Sequence, residues 1–317
     1  MARGTGPGDR RRGLTRVNVR SVALPIEHGG WSFLAEPLVL GLLVAPSAAG
    51  FAIAVATSAG FLIRHPGRMF WKNRQRLAVS PRYGLAGKFA AGYGVVAVAG
   101  LATAWALAGI RPLVPFIIAG PFFLLFAAYD VRHEARLLLP ELLAPTAVAV
   151  SAPAIALAGG WSWQAAGVLW VLLALRSIPT VLYVRARLRL ERGKPHDAAA
   201  SNTAHGAALL AGSGLAGVGM APWLSVVGLG VLLFRAVAGL SRYHRPAAPK
   251  VIGFSEIAYG TLFVLLTAAG YWMLARRVRP PRACLLYTSP SPRDLIAHRV
   301  CRLLLEKRGG GGGGGGG

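Results

Sequence analysis

The sequence predicts an all-α protein, a polytopic bundle of about nine transmembrane helices. Two observations predict this fold. Hydrophobic residues make up 54% of the 317 residues, and they are concentrated in runs long enough to cross about 30 Å of hydrocarbon as helices. The Lys and Arg residues fall in short clusters between those runs, so that every second connection is basic. This alternation is typical of membrane proteins whose basic loops stay in the cytoplasm.

The charge balance raises a second class of protein, which the pattern excludes. A net charge of +24 at neutral pH would also suit a nucleic-acid-binding protein. Here the cations lie between membrane-length apolar runs rather than along one basic domain. We therefore expect a lipid bilayer and no nucleic acid as the partner of this chain.

The last part of the sequence, residues 284–317, resembles a translated sequencing adapter followed by a homopolymer read. Such segments are excluded from fold reasoning, and we expect the native protein to end near Ala283. The exclusion lowers the net charge from +24 to +21, because five Lys/Arg and two Asp/Glu residues are removed. It also removes both cysteines, Cys284 and Cys301. No disulfide, thiolate metal site or cysteine nucleophile is then expected.

The first 24 residues carry six arginines and no apolar core for a signal peptide. We interpret residues 1–24 as a disordered basic cytoplasmic arm and residues 25–279 as the transmembrane domain. The N-terminus is predicted to be cytoplasmic because the basic connections follow the second, fourth, sixth and eighth helices. The arginines after the ninth helix break this rule, which we interpret as a tolerated exception. The predicted helices cover roughly 30–45, 48–63, 86–109, 112–129, 138–158, 163–184, 203–219, 221–240 and 255–275.

A carboxylate and an imidazole, Glu27 and His28, stand at the start of the first apolar run and are followed by Gly29-Gly30. Ionisable groups at a bilayer are costly and mark candidate functional sites. Two interpretations stay open. The pair exchanges protons or binds a ligand, or Glu27 caps the helix N-terminus while His28 reaches the interface.

Four more ionisable residues lie inside apolar runs, namely Glu36, Arg176, Arg235 and Glu256. The simplest interpretation is ion pairing among them within the membrane, since such groups normally pair inside the bundle. The sequence does not fix the partners. The functional alternative is a polar cavity in which Arg176 or Arg235 holds an anionic group.

A polar segment ends the fourth apolar run, with Asp130, His133 and Glu134 spaced to share one face if it is helical. Such a face could hold a divalent ion through its carboxylate oxygens. Arg132 and Arg136 compete by offering ion pairs, so a salt-bridged surface segment is the preferred interpretation.

Two basic connections could bind the phosphate of a lipid or a diphosphate headgroup. The first contains Arg68, Lys72 and Arg74, and the second begins at Arg185. Their simpler role is to set the membrane topology. Neither contains a glycine-rich phosphate loop, so nothing in them indicates nucleotide binding.

Three segments resemble the YwiC-like family of bacterial membrane proteins. They are Leu24-Pro-Ile-Glu-His-Gly-Gly-Trp31, Tyr129-Asp-Val-Arg132 with Leu139-Pro-Glu-Leu-Leu143, and Arg176-Ser-Ile-Pro-Thr-Val-Leu-Tyr-Val-Arg185. The resemblance covers roughly residues 22–275. It implies a multi-pass protein of the bacterial cytoplasmic (inner) membrane, in a family without a settled activity.

The helix count is also similar, more distantly, to that of the UbiA prenyltransferase superfamily. That resemblance implies a UbiA-like bundle with Mg²⁺ ions bound at aspartate-rich motifs after the second and sixth helices. Here the matching positions, 65–74 and 185–189, carry bases where those motifs have acids. Arginines bind phosphate without a metal, but they do not assemble a two-metal site. Prenyl transfer is therefore the less favoured prediction.

The predicted function is an integral membrane protein with a basic cytoplasmic-side cavity that binds an anionic isoprenoid or lipid phosphate. No metal site or cofactor belongs to this prediction.

One alternative is a divergent UbiA-like transferase with Mg²⁺, tested by metal-dependent turnover of a prenyl diphosphate. Another is a proton-coupled transporter with Glu27 or Glu36 as proton carrier, tested by proton flux in liposomes. A scaffold protein without a cavity is a further one. The expected ligand-binding residues are Glu27, His28, Arg68, Lys72, Arg74, Arg176 and Arg185, and the candidate catalytic residues are Glu27, His28, Asp130 and Glu134.

Overall fold

The computed structural model describes residues 19–23, 28–72, 81–132 and 137–278, and every regular element within these ranges is a helix. The predicted all-α fold is confirmed for this part of the chain. A 3₁₀ turn, Arg111–Leu113, directly precedes the fifth helix. The helices are α1 (Val19–Ala23), α2 (His28–Val44), α3 (Ala48–Lys72), α4 (Pro81–Ala108), α5 (Val114–Val131), α6 (Leu138–Val148), α7 (Ser151–Ala158), α8 (Trp163–Leu190), α9 (Ala198–Gly217), α10 (Trp223–Leu240) and α11 (Pro249–Val278).

Each of the nine predicted spans coincides with helix. Within the described residues, seven helical segments are long and apolar enough to cross a membrane. The first predicted span is the shorter apolar helix Gly30–Val44. The predicted seventh span, α9, is rich in Ala, Gly and Ser and is not among these seven segments. The seven segments are Ala48–Phe70, Arg82–Ala108, Arg111–Asp130, Leu138–Ala158, Trp163–Leu190, Trp223–Leu240 and Pro249–Ala275.

The outer surface of α4 shows which solvent this bundle requires. Val95, Val98 and Trp105 expose 69%, 68% and 60% of their surface, and the helix is apolar on nearly all sides. In water such a surface would be an aggregation site, whereas hydrocarbon is its natural solvent. The chain is therefore a multi-pass integral membrane protein.

The centre of the bundle is built on α7 and α8. Seven consecutive residues of α7, from Ser151 to Leu157, are buried. Ile155 packs there with Leu34 and Ile53, which belong to α2 and α3. Leu169 and Leu173 of α8 pack in a second cluster beside Leu40 and Val264. These contacts fix α8 against α2 and α11, which positions the charged residues described below.

A kink divides the predicted helix 138–158 into α6 and α7. Pro153 has no N–H group to donate to the carbonyl of Ala149, so the α-helical ladder is interrupted there. The N–H of Ala152 bonds that carbonyl instead, at 3.2 Å, in a 3₁₀-type turn. The prediction of one continuous helix is corrected to two helices that form one kinked span.

Two helices continue past the ends predicted for them. The sequence predicted α3 to end at residue 63 and α8 at residue 184, where the basic clusters begin. In the structure they extend to Lys72 and Leu190. Arginine and lysine are good helix formers, so the end of the apolar run is not the end of the helix. Arg64, Arg68 and Arg185 consequently lie on helices rather than in loops.

The short helix α1 packs against α3 and α4. The side chain of Val22 is fully buried, and the hydroxyl of Tyr93 donates to the carbonyl of Ala23 at 3.3 Å. The described end of the predicted basic arm is therefore folded, while residues 1–18 lie outside the described residues.

The chain divides into two compact units, Met1–Trp272 and Met273–Gly317. In the first unit lie all the residues discussed below. Of the second, the structure describes the end of α11 as far as Val278. The predicted adapter-derived tail, residues 284–317, lies outside the described residues.

Candidate functional site

A polar cavity of about 720 Å³ opens among the C-terminal ends of α3, α5 and α8 and the N-terminal ends of α2, α6 and α11. This is the end of the bundle to which the basic connections belong. Phe33, Phe126 and several aliphatic side chains complete its walls. The charged residues that line it are Arg64, Arg68, Arg176 and Arg185 together with Asp130, Glu141 and Glu256.

The outer part of the cavity holds two arginines on one carboxylate oxygen. Arg64 Nη2 and Arg68 Nη1 lie 3.1 Å and 3.0 Å from Asp130 Oδ1. The two arginines share one face of α3 because they are four residues apart. Arg64 also stacks on the ring of Phe126, with its guanidinium carbon 4.6 Å from the centroid. Two cations on one carboxylate leave a local surplus of one positive charge.

A second half-exposed pair lies at the same end. Arg185 Nη1 is 2.5 Å from Glu141 Oε2, and each side chain keeps about a third of its surface exposed (36% and 33%). This pair joins α8 to the start of α6. Partial exposure screens such pairs, so they contribute little to stability.

The inner end of the cavity is closed by a fully buried pair. Arg176 exposes 1% of its surface, and its Nη2 lies 2.7 Å from Glu36 Oε1. Ser32 donates its hydroxyl to the same carboxylate oxygen at 2.6 Å. Arg176 Nη2 also donates to the backbone carbonyl of Glu256 at 3.3 Å, and its guanidinium lies over the ring of Phe33. This pair connects α2, α8 and α11.

The packing of this pair depends on Gly260 of α11. A Cβ atom at that position would lie 2.1 Å from Glu36 Oε1 and 2.4 Å from Arg176 Nη2. No side chain carbon fits at these distances. The glycine therefore allows α11 to approach the ion pair closely.

A third cluster lies beside the cavity, around Arg235. Its Nη1 donates to Glu256 Oε2, and its guanidinium carbon is 4.0 Å from the ring centroid of Tyr183 and 5.4 Å from that of Tyr259. Its Nη2 lies 3.3 Å from Nε2 of His205. Arg235 does not line the cavity.

The neighbours of His205 assign its tautomer. Its Nδ1 lies 2.8 Å from the carbonyl of Ser201, which only accepts hydrogen bonds. Nδ1 therefore carries the proton and donates, and Nε2 accepts from Arg235. A neutral histidine placed in this way is a structural partner of the arginine.

The predicted intramembrane ion pairing is confirmed, and the structure identifies the partners as Glu36 with Arg176 and Glu256 with Arg235. Of the two arginines that could face an anion, Arg176 lines the cavity and Arg235 does not. The sequence could not decide this, because both arginines lie in equally apolar helices.

Several buried polar atoms of the cavity-lining residues have no hydrogen-bond partner among the described residues. They are Arg64 Nε at the outer part of the cavity, and Arg176 Nε and Nη1, Thr180 Oγ1 and Glu256 Oε1 at its inner end. Buried polar atoms in native proteins are nearly always satisfied by protein, water or ligand. The inner end of the cavity therefore keeps hydrogen-bonding capacity, both donor and acceptor.

An apolar cavity of about 500 Å³ adjoins the polar one. The two share four lining residues, Arg64, Phe126, Asp130 and Ala144. The remaining walls come from α3, α4, α5 and α6 and include three further aromatic rings, Phe61, Phe116 and Phe123. The two cavities therefore share part of their walls, and charged residues line one of them while mainly aliphatic and aromatic side chains line the other.

The structure brings three of the predicted ligand-binding residues, Arg68, Arg176 and Arg185, around one cavity, along with the candidate Asp130. His28 begins α2 and Lys72 ends α3, but their side chains lie outside the described part of the structure. The predicted site residues Glu27, Arg74 and Glu134 also lie outside the described residues.

Several lining residues were absent from the predicted ligand-binding set, among them Arg64, Glu141 and Thr180, although Arg64 begins the first basic segment that was predicted to bind phosphate. Arg64 precedes Arg68 by four residues and Thr180 follows Arg176 by four. Helical spacing from a known candidate would have found both of them. Glu141 offered no such signal, because its partner Arg185 comes from a distant helix.

The divalent-ion interpretation gains no support from the described residues. Among them, no group of three or more His, Cys, Asp or Glu side chains could hold a metal ion. Asp130 is engaged by Arg64 and Arg68. Of the two arginines that the sequence offered as partners, Arg136 lies outside the described residues.

Comparison with known proteins gives one result. Residues 24–156 match the family model described as YwiC-like protein, which confirms the predicted resemblance over that part of the chain. The matched part includes Glu27, His28 and the segment 129–143, whereas the segment 176–185 lies beyond it. No curated protein and no solved structure matches this chain.

Proposed function

We propose that this membrane protein, with its similarity to the YwiC-like family, binds an anionic isoprenoid or lipid phosphate in the polar cavity. The observation that carries the proposal is the arrangement of Arg64 and Arg68 on the single carboxylate of Asp130. Arginine is well suited to phosphate, because its planar guanidinium donates several hydrogen bonds and stays charged. One surplus positive charge at a half-exposed position attracts an anion from the interface.

The adjoining apolar cavity supports an amphiphile over a water-soluble anion. Its walls include Phe61, Phe116, Phe123 and Phe126. They also include Arg64, which contacts Asp130. A phosphate beside Arg64 would leave an attached hydrocarbon chain next to these rings. Aromatic and aliphatic walls with a few placed polar groups are typical of small-molecule sites.

The orientation belongs to the proposal as well. We place the polar cavity at the cytoplasmic face of a bacterial inner membrane, with the N-terminus in the cytoplasm. The support is that the basic connections lie at the cavity end of the helices, as the positive-inside rule requires. Cysteine labelling at an added residue in the connection 241–248 would test this orientation, and labelling from the periplasmic side would contradict it.

Native mass spectrometry of the purified protein would test the binding. We expect an anionic phosphate lipid to co-purify and to be depleted several-fold by Arg68→Gln, since a half-exposed charged contact contributes up to about 1 kcal/mol. Arg82→Gln is the matched control, because Arg82 is exposed at the start of α4 and does not line the cavity. Equal lipid occupancy in both variants and wild type would contradict the proposal.

A proton-coupled transporter is the second candidate, favoured by the buried carboxylates Glu36 and Glu256 at the inner end of the cavity. Carboxylates inside transmembrane bundles recur in proton pathways. Glu36→Gln keeps a hydrogen-bond acceptor for Arg176 and removes the titratable group. Proton flux in liposomes that depends on substrate and is abolished by this change would support transport. Absence of any flux with the wild-type protein would eliminate it.

A further inference from the structure

We infer that the inner end of the polar cavity selects a phosphate that keeps a hydroxyl, meaning a phosphate monoester, over a phosphodiester. The inference rests on the proposed function: the anion that Arg64 and Arg68 attract at the outer part of the cavity would be held at the inner end of the same cavity. It depends on three buried residues that line one cavity, Arg176, Thr180 and Glu256, each of which has a polar atom without a hydrogen-bond partner among the described residues.

Arg176 and Thr180 supply hydrogen-bond donors. One nitrogen of the guanidinium, Nη2, is held by Glu36, and the N–H groups of Nε and Nη1 have no partner among the described residues. The hydroxyl of Thr180 follows one helical turn later on α8 and is equally unpartnered. Both side chains are about 1% exposed. Donors so buried gain most from an anionic oxygen, because water competes little for them.

Glu256 supplies a hydrogen-bond acceptor and therefore requires a donor from the ligand. Its Oε2 accepts from Arg235, whereas its Oε1 is buried and has no donor among the described residues. An ionised carboxylate only accepts hydrogen bonds. A phosphate oxygen without a proton would therefore face Glu256 Oε1 as one acceptor against another. A phosphate hydroxyl would instead donate to it.

These requirements separate the two ester classes. A monoester phosphate keeps one hydroxyl in its monoanionic form, and its second pKa is about 6. Its ionised oxygens suit Arg176 and Thr180, and its hydroxyl suits Glu256. A diester phosphate carries one negative charge and no hydroxyl, so Glu256 Oε1 stays unpaired when a diester binds. The cavity thus favours a lipid that ends in a phosphate over a lipid in which the phosphate is bridged.

The experiment compares two lipids with identical acyl chains. The wild-type protein in nanodiscs of zwitterionic lipid is titrated at pH 6 with dioleoyl phosphatidic acid, a monoester, and with dioleoyl phosphatidylglycerol, a diester. We expect the monoester to bind at least about tenfold more tightly, the scale of one buried acceptor left unpaired. Inorganic phosphate is added as a competitor. Displacement by millimolar phosphate would support the same chemistry and assign it to the free ion, and no displacement would assign it to the lipid.

Glu256→Gln separates hydrogen bonding from simple charge. The amide of glutamine can donate to an unprotonated phosphate oxygen. We therefore expect the ratio of the monoester affinity to the diester affinity to fall close to one. A preference that came from the larger charge of the monoester would persist or grow when this acid is removed. Asp197→Asn is the matched control, since it removes the same charge at an exposed position that does not line the cavity and keeps a side-chain oxygen to cap α9. We expect it to leave the ratio of the two affinities unchanged.

The outcomes keep this inference apart from the proposed function. Equal affinity for both anionic lipids, each above zwitterionic lipid, would overturn the inference and leave the proposed function standing. No preference for either anionic lipid would overturn both. If Glu256→Gln fails to fold, the wild-type comparison still decides. Thr180→Val then serves as the second variant, for which we expect several-fold weaker binding of both lipids.

Discussion

Two regions of this protein use arginines and carboxylates for opposite purposes. Around Arg235, the guanidinium is covered by Tyr183 and Tyr259 and held by Glu256 and His205. Arg235 lines neither of the two cavities described above. Around Asp130, two half-exposed arginines share one carboxylate at the mouth of a cavity. In the first region the charge is enclosed by its partners. In the second, a positive charge is left over beside open space.

The difference teaches how to separate a structural charge from a binding one in a membrane bundle. An arginine within an apolar run is not by itself a ligand site, because bundle partners can hold most of its guanidinium. At Arg235 only Nε has no hydrogen-bond partner among the described residues. What distinguishes the cavity residues is incomplete pairing next to a cavity. Arg176 lies between the two cases, since it is buried and paired to Glu36 but keeps unpartnered nitrogens in the cavity wall.

The largest expected effect on stability comes from replacing Arg235 in its buried cluster. Arg235→Met leaves Glu256 as a buried carboxylate without its cation, and we expect a loss of about 3–5 kcal/mol in the free energy of unfolding. Arg68→Met removes a half-exposed partner of Asp130 and should cost at most about 1 kcal/mol. Denaturant unfolding in detergent micelles measures both. Similar losses for the two variants would erase the distinction drawn between the regions.

The neighbouring arginines Arg185 and Arg187 sharpen the same comparison on one helix. Arg187 is buried, donates to the carbonyls of Gly239 and Arg245, and pairs with Glu191 at 2.7 Å. We expect Arg187→Met to lower stability by about 1.5–3 kcal/mol, the range for a charged hydrogen bond, and to leave lipid phosphate binding intact.

Arg185→Met should show the reverse pattern, with weaker binding and a stability close to that of wild type. Thermal unfolding and native mass spectrometry on the same preparations give both quantities. A binding defect in Arg187→Met but not in Arg185→Met would mean that the lipid contacts the face of α8 that carries Arg187. That result would contradict the proposed site.

Close packing at the inner pair is the next target. Gly260→Ala places a Cβ atom against Glu36 and Arg176, and we expect a loss of about 1–3 kcal/mol from overpacking. Gly253→Ala on the same helix meets no atom within 4 Å, and it should be neutral or stabilising by up to about 1 kcal/mol through helix propensity. Melting temperatures of the two variants compare them directly, and equal melting temperatures would contradict the close approach at Gly260.

The smallest stability effect is expected at Asp130. Asp130→Asn removes the carboxylate that Arg64 and Arg68 share, and should change the free energy of unfolding by less than about 1 kcal/mol. It frees a second positive charge at the cavity mouth, so affinity for an anionic lipid should rise several-fold and depend more steeply on salt. Titrations at two salt concentrations measure this. Weaker binding would mean that Asp130 positions the arginines rather than competing for them.

The parts of this protein that the sequence predicted are those in which a local pattern carries the information. Membrane-length apolar runs identified the helices, and charges inside such runs identified Glu36, Arg176, Arg235 and Glu256 as a paired set. The pairing itself could not be predicted, since it depends on which faces of α2, α8, α10 and α11 meet.

The predictions of the helix ends were wrong for a different reason. Past residues 63 and 184 the apolar run stops while the backbone ladder continues, so hydropathy misplaced Arg64 and Arg185. The prediction for Glu27 and His28 stays a prediction, because their side chains lie outside the described residues.

The order of the ion-pair partners along the chain has a consequence for biogenesis. Glu36 precedes Arg176, so the arginine of α8 enters the membrane when its acid is already there. Arg235 precedes Glu256, so the arginine of α10 is synthesised before its counterion. Placing a lone arginine at the centre of a bilayer costs about 2.5–3.5 kcal/mol on insertion. Helix α10 is therefore expected to stay at the translocon until α11 emerges, so that the two helices leave it laterally as a pair.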